Sequence, residues 1–365
     1  MSAGFSTYLN LLRFLAALVV LLSHFAYPRF TGGDWLWVRQ LNLGSDAVVL
    51  FFVLSGFVIA LTAERKDIDL SDFAFARATR LVSVALPALV LGWVLDRWGA
   101  ATAPDQYYAP FYAPLPLWET LLRGLSFSNE WGGSLTARLG SNGPYWSLSY
   151  EVAYYALFAI AYYLEGPRRT ALLITGVMLV GLNVLLLMPA WLMGVWLYRR
   201  LRTAAPLRIA SAVVFAGLPV AAYALALRFD VPHLLQSTLQ PALPGHALRY
   251  SDEYLWNALL SLLVSTHLLG VAALTRAGLS VFGTLSGRLS IPVGWLAGAS
   301  FSIYLVHYPL LQALHALWPG AGQAGLFLAT LALCFVFAAC FERPLHLWRD
   351  LLRAPWRQDR PHVTG

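Results

Sequence analysis

The chain has 365 residues, a net charge of +7, 59% hydrophobic residues and only 12% charged ones. A soluble domain carries about 25% charged residues, so the composition excludes an ordinary soluble fold and points to a polytopic membrane protein. The positive charge does not read as a nucleic-acid surface, because the arginines fall between apolar stretches, where they act as topology signals.

Ten apolar stretches follow one another, at roughly 5–27, 46–63, 81–97, 145–164, 170–188, 189–199, 209–227, 255–275, 295–317 and 323–341. The spacing predicts an all-α bundle of about ten transmembrane helices in the lipid bilayer, filling residues 1–345, with a basic tail over 346–365. Pro189 favours a break between the fifth and sixth spans. Lys and Arg concentrate in alternate connections: 65–80, 168–169, 199–208, 276–288 and the segment after the last span. The positive-inside rule then puts both termini in the cytoplasm. The first stretch lacks a basic leader and a small-residue cleavage site, so it reads as a retained span and not a signal peptide. Cys334 and Cys340 share one apolar span at a spacing that suits neither a metal site nor a local disulfide, so they read as packing residues and no metal is expected.

In chain order, the first polar feature is "NLLRFLAALVVLLSH" at 10–24. Arg13 sits inside an apolar helix and His24 closes it. An ionisable group at membrane depth costs about 2.5–3.5 kcal/mol on insertion scales. At about 100° per residue, Arg13 and His24 differ by roughly 20° around the axis and roughly 16 Å along it, with Asn10 near the same stripe. Such a stripe should face a cavity. The competing readings are a structural ion pair for Arg13 and an interfacial histidine for His24.

Next, Ser55 and Gly56 interrupt "FFVLSGFVI". They permit close helix packing or leave room for a thin ligand. Arg77 and Arg80 of "FARATR" share a face if helical and suit a phosphate, unless they are only positive-inside charge. In "NGPYWSLSYEVAYYALF" Glu151 lies about two turns into its span and needs a partner. Depth permits His24, whose imidazole it would orient, and Trp146 is a further lining residue. In "FSIYLVHYP" Tyr304 and His307 are cavity-lining or core. The long connections at 98–144 and 228–254 are rich in Tyr, Trp, Pro and Gly, as befits either a sugar-facing surface or an aromatic belt.

Taken in order, "LLRFLAALVVLLSH", "FFVLSGFVI", "RATR", "YWSLSYE", "FSIYLVHYP" and the "ERP" at 342–344 resemble the acyltransferase 3 family of bacterial membrane O-acyltransferases, over nearly the whole chain. The resemblance implies a multi-pass enzyme of the bacterial inner membrane. It would move an acyl group, commonly acetyl, from cytoplasmic acyl-CoA to a hydroxyl of a glycan such as exopolysaccharide or lipopolysaccharide, or of a macrolide. Acyl-CoA is a co-substrate, and no tightly bound cofactor is implied. Catalytic roles then fall to His24, Glu151 and Arg13, and acyl-CoA binding to Arg77, Arg80, Ser55 and Gly56. Some relatives carry an extra hydrolase-like domain for which this chain has no segment. A transporter or flippase is the competing class, since buried charge also marks a transport path; no inverted repeat supports it.

Overall fold

A computed structural model describes residues 2–132, 136–203, 205, 207–239, 248–279 and 286–353. Residues 354–365, most of the expected basic tail, and residues 240–247 of the second long connection lie outside them. The main helices are α1 (Ala3–Phe25), α2 (Leu43–Arg65), α3 (Leu70–Thr102), α4 (Leu117–Leu125), α5 (Trp146–Tyr163), α6 (Gly166–Val180) and α7 (Leu182–Thr203). They continue with α8 (Ile209–Arg228), α9 (Tyr254–Arg276), α10 (Ser286–Ala297), α11 (Ser300–Leu317), α12 (Gln323–Phe337) and α13 (Leu345–Arg353). Short helices at Pro28–Thr31, Leu36–Gln40 and Val231–Leu239 lie in the connections. Among the described residues there is no β-strand, and the protein is a helical membrane bundle.

Eight helical runs are long and apolar enough to cross a membrane: α1, α2, α3, α7, α8, α9, the run Gly287–Leu317 and the run Gln323–Leu351. The two further spans expected from sequence are present as α5 and α6 but fall outside this set. In α5 the tyrosines and Glu151 dilute the hydropathy, and α6 is only 15 residues long.

Three boundaries differ from the sequence reading. The break expected at Pro189 falls instead at Gly181, whose φ of 87° ends α6, and Pro189 lies inside α7. A proline forfeits one helical hydrogen bond, whereas a glycine in this backbone region turns the chain. α3 begins at Leu70 and not near 81, because the Asp69 carboxylate accepts from the Asp72 N–H at 2.8 Å and caps the helix. Arg77 and Arg80 are therefore in its second and third turns. The stretch expected at 295–317 is two helices, α10 and α11, divided at Gly298 and Ala299.

α2 is the central helix: 67% of its apolar window is buried, against 11% for the peripheral α8. Its tightest neighbour is α7. A Cβ on Gly56 would lie 2.0 Å from the Trp191 carbonyl oxygen, and one on Gly194 would lie 2.0 Å from that of Val53. Two bare backbones cross here in reciprocal contact, so only glycine fits at either position. α1 and α9 also pack on α2, and α3, α5 and α11 face it across a space that holds polar side chains.

Candidate active site

Two cavities meet inside the bundle. The first, about 220 Å³, is lined by Arg13, Ser55, Arg77, Arg80, Glu151 and Tyr155. The second, about 310 Å³, is lined by His24, Tyr27, Arg39, Asn42, Trp146, Tyr250, Asp252, Glu253 and Asn257. Val48, Phe52 and Tyr304 line both, so these three side chains form the partition. The Tyr304 hydroxyl is fixed by Ser147 Oγ at 2.6 Å and donates to the Pro144 carbonyl at 3.1 Å.

In the arginine cavity the three guanidiniums differ in their commitments. Arg77 pairs with Asp67 at 3.2 Å but keeps a buried Nε without a partner. Arg80 pairs at 3.4 Å with Glu342, whose other oxygen accepts from the Ser302 N–H at 2.8 Å. Arg13, from the middle of α1, makes no hydrogen bond or ion pair among the described residues. The structural ion pair considered for Arg13 is thus absent there. Three positive groups with unspent donor capacity around one space make a site for an anion or a polarised carbonyl.

Glu151 is not paired with His24, contrary to the sequence expectation. Its Oε1 accepts from Ser55 Oγ and from the Tyr155 hydroxyl, both at 2.5 Å, and Ser55 in turn accepts from the Trp191 indole at 3.2 Å. Equal depth was the sole basis for the expected pair. Depth does not fix azimuth, and α5 turns Glu151 into the arginine cavity while α1 turns His24 into the other. Tyr155, one helical turn after Glu151, was findable from the i,i+4 spacing. Gly56 does not line the cavity, since its face is filled by α7, so the close-packing reading holds there while neighbouring Ser55 does line the space. Asn10 lines neither cavity.

The partner of His24 is His307. His307 is fully buried, and its Nδ1 faces the Ile303 carbonyl at 2.8 Å. A carbonyl only accepts, so that Nδ1 carries the proton and the neutral ring offers Nε2 as an acceptor. His307 Nε2 lies 3.0 Å from His24 Nδ1, which is also 3.0 Å from the Val20 carbonyl. Both neighbours are acceptors, so His24 Nδ1 bears the proton and its Nε2 is left with a lone pair. His24 is half-buried and lines the second cavity. The two rings are 5.0 Å apart between centroids. Sequence reasoning found both histidines but not their contact, because α1 and α11 are joined only by the tertiary fold.

The second cavity is built otherwise. Trp146 stacks on Tyr250 at 4.4 Å with 7° between planes, joining the start of α5 to the second long connection. Arg39 lies 3.5 Å from the centre of the Tyr27 ring and donates to the Ser23 carbonyl at 3.1 Å. Asn42 donates to Glu253 at 2.5 Å, and Asn257 retains a buried carbonyl oxygen without a partner. Burial, together with nearby Asp252 and Asp46, pushes the Glu253 carboxyl up to about 7. A bidentate Arg249–Glu130 pair, at 2.6 and 3.1 Å, ties the wall carrying Tyr250 to the connection before α5. Asn42, Tyr250 and Glu253 carry no local sequence signal, since each lies in a connection or at a helix start.

Comparison with known proteins agrees with this architecture. The family profile described as "Acyltransferase domain" matches residues 6–341. The chain is similar to acyltransferase MdmB of Streptomyces mycarofaciens, 32% identical over 155 residues, or 41% of this chain and 38% of that protein. It is also similar to an O-acetyl transferase of Shigella phage Sf6, 26% identical over 152 residues, or 41% of this chain and 44% of the phage protein. The aligned region spans about two-fifths of the length of these curated relatives. No solved structure matches the chain significantly. With the family profile covering nearly all of its helices, the chain belongs to the acyltransferase 3 family of membrane acyltransferases.

Proposed function

We propose that this protein transfers an acyl group, acetyl in the first instance, from cytoplasmic acyl-CoA to a hydroxyl of an extracytoplasmic glycan across the bacterial inner membrane. The observation that carries the reading is the pair of cavities with a shared three-residue partition, the cluster of Arg13, Arg77 and Arg80 on one side and His24 on the other. The positive-inside rule assigns the arginine cavity to the cytoplasmic half. There Arg77 and Arg80 meet the phosphates of coenzyme A, and Arg13 lies beside the incoming thioester.

The acceptor enters the other cavity, whose aromatic and amide walls suit a sugar ring. His24 Nε2 takes the proton of the acceptor hydroxyl as its oxygen attacks the thioester carbonyl. The oxyanion so formed is stabilised by Arg13. Its collapse forms the ester, breaks the C–S bond and expels the coenzyme A thiolate, which takes up the proton carried by His24. The Nδ1 proton stays between Val20 and His307 throughout, so His307 is a positioning residue that holds the reactive nitrogen toward the acceptor. Glu151 sets the dipoles of Ser55 and Tyr155 around the donor and does not act on His24.

The test is to supply inside-out vesicles with radiolabelled acetyl-CoA and an exogenous glycan acceptor. Base-labile label on the acceptor, lost in His24→Ala, is expected. Label that remains in acetyl-CoA while the acceptor crosses the membrane would overturn the reading in favour of transport.

A further inference from the structure

A third cavity, about 250 Å³, lies among α1, α2, α7 and α9 and shares no lining residue with the other two. Its rim carries Arg65, Arg202 and Arg276, each from the last turn of a different helix. A basic residue in a last turn is ordinary, because it complements the helix dipole and the positive-inside bias. Convergence of three on one recess is not required by either effect. Arg202 is neutralised by Glu64, and Arg276 donates to the Leu201 carbonyl at 3.1 Å, which fixes its direction without cancelling its charge. The N-terminus of α1 opens on the same recess: Ser2 lines it and caps the helix by accepting from the Phe5 N–H. That helix start has no acidic residue in its first turn, so the net field over the recess is positive. Beneath the rim the walls are apolar: Phe5, Phe57 and Leu201.

We propose that this recess binds the phosphate headgroup of an anionic phospholipid, with the upper part of an acyl chain against Phe5, Phe57 and Leu201. The charge complementarity is that of a basic pocket between transmembrane helices meeting an anionic headgroup. The apolar floor suits an acyl chain better than a free nucleotide, whose ribose hydroxyls would be left there without hydrogen-bond partners. The lipid would tie α1 to α2, α7 and α9 at the membrane surface. This proposal stands apart from the acyl-transfer reading, since the recess is separate from both proposed substrate cavities.

The experiment uses the full chain, purified in detergent and delipidated, with phosphatidylglycerol, phosphatidylcholine or coenzyme A added separately. Phosphatidylglycerol should raise Tm and persist as an adduct in native mass spectrometry, and phosphatidylcholine should do neither. Arg65→Gln with Arg276→Gln should weaken phosphatidylglycerol binding by about tenfold or more, the loss expected from one or two charge-assisted contacts, and leave coenzyme A binding unchanged. Phenylglyoxal footprinting of the wild type supplies a readout that does not depend on how the variant folds. Arg65 and Arg276 should be shielded by phosphatidylglycerol and not by phosphatidylcholine. Equal shielding by both lipids, or by neither, would overturn the proposal. So would loss of coenzyme A binding, in place of lipid binding, in the double variant, which would give the recess to a nucleotide phosphate.

Discussion

The cavities on the two sides of Val48, Phe52 and Tyr304 differ in chemistry. The first holds three permanent cations and one carboxylate already committed to Ser55 and Tyr155. The second holds an imidazole with an open nitrogen, stacked aromatic rings, the guanidiniums of Arg39 and Arg249, and the carboxyls of Asp252 and Glu253. A guanidinium cannot release its proton at any physiological pH, so the three arginines can bind and polarise but cannot act as bases. The second cavity can accept a proton at His24 and carries charges of both signs. The arginine cluster and the open imidazole nitrogen are thus kept on separate sides of a thin wall, the division on which the proposed transfer rests.

The sharpest way to break this division is at the base. His24→Ala should lower acyl transfer by about 10²–10⁴-fold, the usual worth of a general base, while Tm and acyl-CoA binding stay near wild type. Substantial transfer by that variant would move the chemistry out of the second cavity. One step behind it lies His307. His307→Ala removes the ring acceptor at 3.0 Å from His24 and should cost about tenfold or more in kcat, with little change in KM for acetyl-CoA. His307→Gln can place its amide oxygen near that acceptor position and should recover part of the loss. Equal defects in the two variants would make the contact one of packing alone.

The arginine side is sharpened by the ion pairs. Arg80→Ala leaves the buried Glu342 carboxylate without its cation, so it should lower Tm as well as raise KM for acetyl-CoA. Arg80→Lys should restore most of Tm, since it returns the charge, but only part of KM, since an ammonium lacks the two-pronged donor geometry. Complete recovery of KM by Lys, measured in inside-out vesicles, would reduce Arg80 to a topology charge.

The smallest expected effect concerns Glu253. Its raised pKa, about 7, means that the folded protein binds a proton that the unfolded chain releases between the ordinary carboxylate range and about 7. Stability from this group is therefore greater at the lower end of that window and falls as pH rises through about 7. Glu253→Gln should flatten the Tm profile between about pH 5 and about pH 8. An unaltered slope would remove Glu253 from the charge balance of the second cavity.

What was legible in the sequence was local. Apolar length gives membrane helices, because a backbone in lipid must satisfy its own hydrogen bonds. The isolated Arg13, His24 and Glu151 give buried polar sites, because such residues are expensive at membrane depth. The ordered motifs gave the family, and the profile match bears that out. Even the missed start of α3 at Asp69 was written in a local capping signal. Partnership was decided elsewhere. Glu151 and His24 share a depth yet face different cavities, while His24 and His307, 283 residues apart, are in hydrogen-bonding contact. Gly56 and Ser55 are neighbours in the chain, but one is consumed by the crossing with α7 and the other opens on the arginine cavity. Periodicity fixes where a side chain stands on its own helix; the rotation of each helix against the others is set by the summed packing of all of them. That rotation alone determined which polar groups meet.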